Sequence, residues 1–158
     1  MKLIYVDTSV FGGNYDDEFR LWSGLFFNRV FDTEIKLIYS SVAEDELMNA
    51  PEKVKTFVKT IPSKNILKSE LTEEAIVLAE DYLSERVVGE SSRADCYHIA
   101  MATVLKADVL VSWNFKHIVN VQRINGYNAV NLKRGYRTIE IRNPREIFDY
   151  EDTDEKGF

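Results

Sequence analysis

The chain has 158 residues, with 20 Lys and Arg against 26 Asp and Glu, and a formal net charge of −6. At roughly 100–200 residues per domain this is one domain, long enough to bury about two-thirds of its unfolded surface without a disulfide or metal. An apolar fraction of 45% and a charged fraction of 29% exclude disorder, collagen and coiled coil. The overall acidity argues against a purely electrostatic nucleic-acid binder, although the position of the charge decides recognition.

That charge is uneven. Residues 1–109 hold 12 basic and 19 acidic side chains, net −7. Residues 110–148 hold seven basic and two acidic, net +5, and residues 149–158 one basic and five acidic, net −4. A basic segment therefore lies between an acid-rich body and an acidic tail. Cys96 is the one cysteine, so nothing suggests an oxidising compartment. Four apolar residues (Leu3–Val6) before Asp7 are too few for a signal sequence. No apolar run approaches the ~20 residues of a membrane span. The expected location is the cytoplasm, with no membrane association.

Leu3-Ile4-Tyr5-Val6 is a continuous apolar run, as in a strand buried on both faces of a parallel sheet. Gly12-Gly13-Asn14 reads as a loop. Leu21, Trp22, Leu25, Phe26 and Val30 recur at helical spacing within 17–31. Residues 36–40 read as a second strand. Ser41 opens a helix to about Asn49, and a further helix covers 52–60 before Pro62. Ile66-Leu67 is a short strand or merely extended. Ala75, Ile76, Leu78, Ala79 and Leu83 mark another helix, with no capping box before it. Ser92 begins the next, with Tyr97, His98, Met101 and Leu105 on its apolar side. Residues 107–112 read as a strand, 115–125 as a helix closed by Gly126, and 138–142 as the last strand. Pro144 starts a short helix. Strands alternating with helices predict an α/β domain with a mainly parallel central sheet over residues 1–148. The acidic tail over 149–158 is expected to be disordered.

Parallel sheets place their sites at the C-terminal ends of strands. Asp7 ends the first strand, and Ser112 and Asn114 follow a later one. Asp95 lies in the first turn of a helix, and Glu44, Asp45 and Glu46 begin the helix after the second strand. Gathered carboxylates repel one another, and a hard divalent cation resolves the repulsion. Ser41-x-x-Glu44 matches a capping box, which gives Glu44 a structural role. Glu46 is about 200° around the helix from Glu44 and is the candidate for the site. Ser92-x-x-Asp95 also reads as a capping box, so Asp95 stays open between cap and ligand at this point. His98 faces the same side as Asp95 and reads as a hydrogen-bonded core residue. Thr8 and Ser9 are turn residues or supports for Asp7.

Tyr5-Val6-Asp7-Thr8-Ser9, Ser41-Val42-Ala43-Glu44-Asp45-Glu46-Leu47, residues 94–102 around Asp95, and Val111-Ser112-Trp113-Asn114-Phe115 resemble the four motifs of PIN-domain ribonucleases. The resemblance spans about 3–148, and the short single-domain form is similar to VapC-type toxins of toxin–antitoxin pairs. It implies a PIN-like three-layer α/β/α domain and a Mg²⁺- or Mn²⁺-dependent endoribonuclease. Asp7, Glu46 and Asp95 match the first three acids and are the implied catalytic and metal-binding residues. The fourth motif usually carries Asp where this chain has Asn114. An amide oxygen can still ligate a cation, so Asn114 joins the expected metal set, with Thr8, Ser9, Ser112 and His117 in support. Lys116, Arg123, Lys133, Arg134 and Arg137 are the expected RNA contacts beside the site. Tyr127 and Tyr136 are candidates to stack bases.

The expected partners are an RNA substrate and a cognate antitoxin protein. Trp22, Phe26 and Phe27, where exposed, would form a homodimer or antitoxin surface. The alternative reading, favoured by Asn114, is a PIN-like module that binds protein or RNA without efficient catalysis. A haloacid-dehalogenase-type phosphatase would need a second Asp at position 9, where this chain has Ser9.

Overall fold

The structure, a computed structural model, describes residues 2–32 and 35–147. Five strands form one all-parallel sheet in the order β3-β2-β1-β4-β5. They are β1 (Leu3–Val6), β2 (Lys36–Ser40), β3 (Ile66–Ser69), β4 (Val109–Val111) and β5 (Ile141–Arg142). The helices are α1 (Thr8–Gly13), α2 (Arg20–Asp32), α3 (Ser41–Leu47), α4 (Glu52–Lys59), α5 (Glu73–Ser84), α6 (Arg93–Val104) and α7 (Val121–Lys133).

Side chains alternate across each strand and split the core in two. Tyr5, Ile38, Leu110 and Ile141 point to one face, where they pack with buried residues of α5, α6 and α7. Ile4, Val6, Leu37, Val109 and Val111 point to the other, against α1, α2 and α4. Both faces are covered, which explains the unbroken apolar runs. The expected three-layer α/β/α architecture is therefore the observed one.

The chain builds β1, β2 and β3 outward in one direction, then crosses back to lay β4 and β5 on the other side of β1. The reversal leaves a crevice beyond the C-terminal ends of β1 and β4, where open α/β sheets place ligands. Val6 pairs with Val111 and the Asp7 N–H donates to the Val111 carbonyl at 3.0 Å. Asp7 and Ser112 therefore stand side by side at that crevice.

Several local expectations change. Gly12 and Gly13 are helical, not a loop. A Cβ on Gly13 would lie 2.7 Å from Ser23 Oγ and 2.7 Å from Trp113 Nε1, so only glycine lets α1 pass the Trp113 ring. The helix expected over 17–31 begins at Arg20. Neither capping box forms. Ser40, not Ser41, caps α3, accepting the Ala43 N–H at 3.0 Å. Ser41 Oγ instead accepts the Leu71 N–H at 2.9 Å and ties the β3–α5 connection to α3. Ser92 closes a 3₁₀ turn and makes no side-chain cap bond. The helix expected over 115–125 is a turn followed by α7, whose cap is Asn120, accepting the Arg123 N–H at 3.2 Å. α7 runs straight through Gly126, where Val87 packs so closely that a Cβ would meet Val87 Cγ1 at 2.8 Å. Phe26 and Phe27 are core residues, so they supply no dimer surface; Leu21, Leu25 and Phe31 are exposed apolar residues of α2. The tail 149–158 lies outside the described residues. No helix among the described residues is long and apolar enough to cross a membrane.

Gly13→Ala is expected to break the 2.8 Å Trp113–Ser23 bond and cost about 1–3 kcal/mol of stability through overpacking. Urea unfolding measures this, and an unchanged midpoint would show that the contact yields freely.

Candidate metal and phosphodiester site

Asp7 leaves β1 directly into α1 and is 5% exposed. Two hydroxyls clamp one of its oxygens: Ser9 Oγ and Ser112 Oγ each donate to Oδ2 at 2.7 Å. Both hydroxyls also accept backbone N–H groups, Ser9 from Trp113 at 3.0 Å and Ser112 from Asn114 at 2.9 Å. The clamp thus orients Asp7 and stitches α1 to the loop after β4. It leaves Oδ1 facing His98 Nε2 at 3.4 Å.

α6 brings Asp95, His98 and Met101 to one face, because positions three apart lie one above the other on a helix. His98 is fully buried. Its Nδ1 meets the Tyr5 hydroxyl at 2.6 Å, and its Nε2 meets Glu46 Oε1 at 2.6 Å. A carboxylate only accepts, so Nε2 is the donor to Glu46, and the Tyr5 hydroxyl bonds Ser40 Oγ at 2.8 Å. Burial alone would depress the imidazole pKa. The Glu46 hydrogen bond and the charges of Asp7, Glu46 and Asp95 overcome it and raise the pKa above the ordinary histidine value.

Glu44 and Glu46 of α3 separate as helix geometry requires. Glu46 reaches His98, whereas Glu44 lines a groove of about 790 Å³ with Tyr39, Leu47, Met48 and Lys55. That groove contains none of the residues Asp7, Glu46, Asp95 and His98. Burial first, then the charge of Asp7 and to a lesser degree Glu46, hold the Asp95 carboxyl above its usual range; His98 and His117 oppose this. Asp95 therefore feels both other acids, and it caps nothing.

Asn114, expected among the metal ligands, is held by the turn it sits in. Its Oδ1 accepts two backbone N–H groups, from Lys116 at 3.2 Å and His117 at 2.9 Å. Backbone N–H groups can only donate, so the amide orientation is determined. The oxygen is used in capping this turn, and Nδ2 faces Asp95 Oδ1 at 3.4 Å. Through Nδ2, Asn114 is a donor to Asp95.

The donor set fits a hard divalent cation in kind: three carboxylates, hydroxyls, and no thiolate. Thr8 Oγ1 and His117 Nδ1 are buried atoms with no hydrogen-bond partner, beside Asp7 and Asn114 in sequence. Such orphans call for a water or an ion. Among the described residues no three His, Cys, Asp or Glu side chains stand as a ready-made metal cage.

The expected RNA contacts divide. Lys116 is exposed on the turn capped by Asn114, and Arg123 lies in the first turn of α7, donating to the Val87 carbonyl. Lys133 is ten residues further, about 15 Å along the helix. It pairs with Glu85, and Arg134 pairs with Asp81. Arg137 follows on the way to β5 and is exposed. The basic segment is thus spread along α7 and not gathered beside Asp7. Tyr127 is a buried core residue whose hydroxyl donates to the His117 carbonyl, and Tyr136 bonds Glu74, so neither is placed to stack bases.

His98 is the residue whose place in the site the sequence pattern understated. The available signal was Asp95-x-x-His98, one helical turn apart on the Asp95 face. Tyr5 and Ser40 complete its support.

No protein-family model matches the sequence, and neither does any curated protein. Solved structures do match in fold. The chain is similar to VapC20 of Mycobacterium tuberculosis, a sarcin–ricin-loop-cleaving toxin, with a TM-score of 0.56 and 15% identity over 72% of this chain and 91% of that one. It is similar to VapBC2 of Rickettsia felis, bound to a DNA fragment from its promoter, with a TM-score of 0.54 and 12% identity over 89% and 98%. The chain has a PIN-like fold. FitAcB of Neisseria gonorrhoeae agrees, with a TM-score of 0.53 and 14% identity over 89% of this chain and 97% of that one. The PIN-like fold accounts for the acids of β1, α3 and α6 meeting at one sheet edge.

Replacing Asn114 by Asp would keep the cap but turn a second carboxylate oxygen toward Asp95. The expected loss is about 1–3 kcal/mol in the metal-free protein, from leaving a part-buried polar group mispaired. Urea unfolding of Asn114→Asp tests this; an equal or higher midpoint would contradict the assigned amide orientation.

Proposed function

We propose that this protein is a metal-dependent endoribonuclease, the toxin of a toxin–antitoxin pair. The observation that carries the reading is the meeting of Asp7, Glu46 and Asp95 around His98 at the crevice beside β1 and β4. A divalent cation, Mg²⁺ or Mn²⁺, would be held by these three carboxylates. When bound, such an ion supplies an acidified water and Lewis-acid stabilisation of the charge developing at a phosphodiester.

The protein's own groups do the rest. Ser9 and Ser112 fix Asp7 through Oδ2 and keep Oδ1 turned into the site. Asp95 carries the loosest hydrogen bond of the three acids, 3.4 Å from Asn114 Nδ2, and its carboxylate takes the proton of the attacking water. Thr8 and His117 hold water or phosphate oxygens with their unpartnered atoms. Lys116 and Arg123, at the rim, contact the RNA backbone. The antitoxin partner is supported by the VapBC and FitAB assemblies among structures of this fold. The exposed Leu21 and Leu25 of α2 offer a surface for the homodimer. The cytoplasm is where such a protein would meet its RNA.

A second reading has one observation in its favour. Asn114 brings an amide N–H to Asp95 in place of a fourth carboxylate, so the site carries one charge fewer. On that reading the PIN-like fold binds RNA or protein and cleaves weakly.

Single-stranded RNA incubated with the protein separates the two. Cleavage is expected with Mg²⁺ or Mn²⁺ and not with EDTA. Asp7→Asn removes one of the three carboxylates proposed to hold the ion and should lower the rate more than the about 10–100-fold that loss of a residue merely orienting a ligand brings. Absence of cleavage with either ion favours the binding module, and undiminished cleavage by Asp7→Asn overturns the catalytic role given to this carboxylate cluster.

A further inference from the structure

We propose that His98 is a positioning residue that holds Glu46 beside Asp7, so that the two carboxylates stand together for a cation. The inference rests on the metal-dependent reading above. Glu46 sits on a short helix with its side chain 38% exposed. Its described link inward is the 2.6 Å bond from His98 Nε2. The same nitrogen lies 3.4 Å from Asp7 Oδ1, so one N–H sits between two groups that would otherwise push each other apart.

The imidazole is itself immobile. It is buried, edge-on to the Tyr5 ring at 5.6 Å, and bonded through Nδ1 to the Tyr5 hydroxyl, which is bonded to Ser40. Ser40 caps α3, the helix that carries Glu46. The chain Ser40–Tyr5–His98–Glu46 thus closes on itself. It fixes both the helix and the side chain that it presents. Hydrogen-bond partners that orient a metal ligand typically change metal affinity by about 10–100-fold.

The experiment is a double-mutant cycle on Mn²⁺ affinity, read by isothermal titration calorimetry, with circular dichroism confirming the fold of each variant. His98→Leu removes the donor and should weaken Mn²⁺ binding about tenfold or more. His98→Gln restores an N–H donor and should recover most of the loss. In the Glu46→Gln background His98→Leu should cost nothing further, because the two residues act as one unit. A purely structural histidine would cost the same in both backgrounds. Unchanged or tighter binding by His98→Leu, or an additive cycle, overturns the inference while leaving the metal site intact. Failure of the unmodified protein to bind Mn²⁺ defeats the metal-dependent reading and the inference with it. Should His98→Leu not fold, His98→Met fills the same space without a donor and takes its place in the cycle.

Discussion

Three carboxylates are drawn toward one sheet edge, and their mutual repulsion is the constraint around which the crevice is arranged. Each acid is answered differently. Asp7 has two serine hydroxyls on one oxygen, Glu46 has the His98 ring, and Asp95 has only the Asn114 amide. These answers come from separate parts of the chain, and each donor also secures backbone or a second residue. Ser9 and Ser112 accept loop N–H groups, Asn114 caps its own turn, and His98 is anchored through Tyr5 to the α3 cap. The site and the connections at the C-terminal edge of the sheet are therefore held by one set of bonds. Gathering like charges costs stability, and a fold that maintains such a cluster carries it for chemistry.

The strands and their order of burial were legible because both faces of the sheet are covered. Leu3–Val6 and Val109–Val111 can only be apolar throughout, and the acid that follows the first run then stands out. That Glu44 and Glu46 face apart was legible from the helical period, whereas the capping box that chose between them does not form. Ser40, one residue earlier, makes the cap, since it already ends β2 in the extended conformation a cap requires. The turn at 115–119 and the run of α7 through Gly126 were not legible. Glycine reads as a helix stop, and here it is retained because Val87 presses on the helix. The function of Asn114 was also hidden. Its role depends on which way the amide turns, and two backbone N–H groups decide that only once the loop is folded.

The net charge of −6 takes on a different meaning at this level. Part of it is the cluster itself, Asp7, Glu46 and Asp95, at the crevice. The compensating basic segment is largely spent within the fold, on Glu85, Asp81 and the Val87 carbonyl. Lys116, on the turn capped by Asn114, remains exposed. An RNA would then be drawn to this protein by few direct charge contacts, and a bound cation would be the strongest positive charge that a phosphate meets.

The most direct measurement of the central claim is an anomalous difference map from crystals grown with Mn²⁺. The account predicts a peak bounded by the carboxylates of Asp7, Glu46 and Asp95, with Asn114 Oδ1 still turned to the Lys116 and His117 N–H groups. No peak in that crevice, or an ion ligated through Asn114 Oδ1, would contradict it.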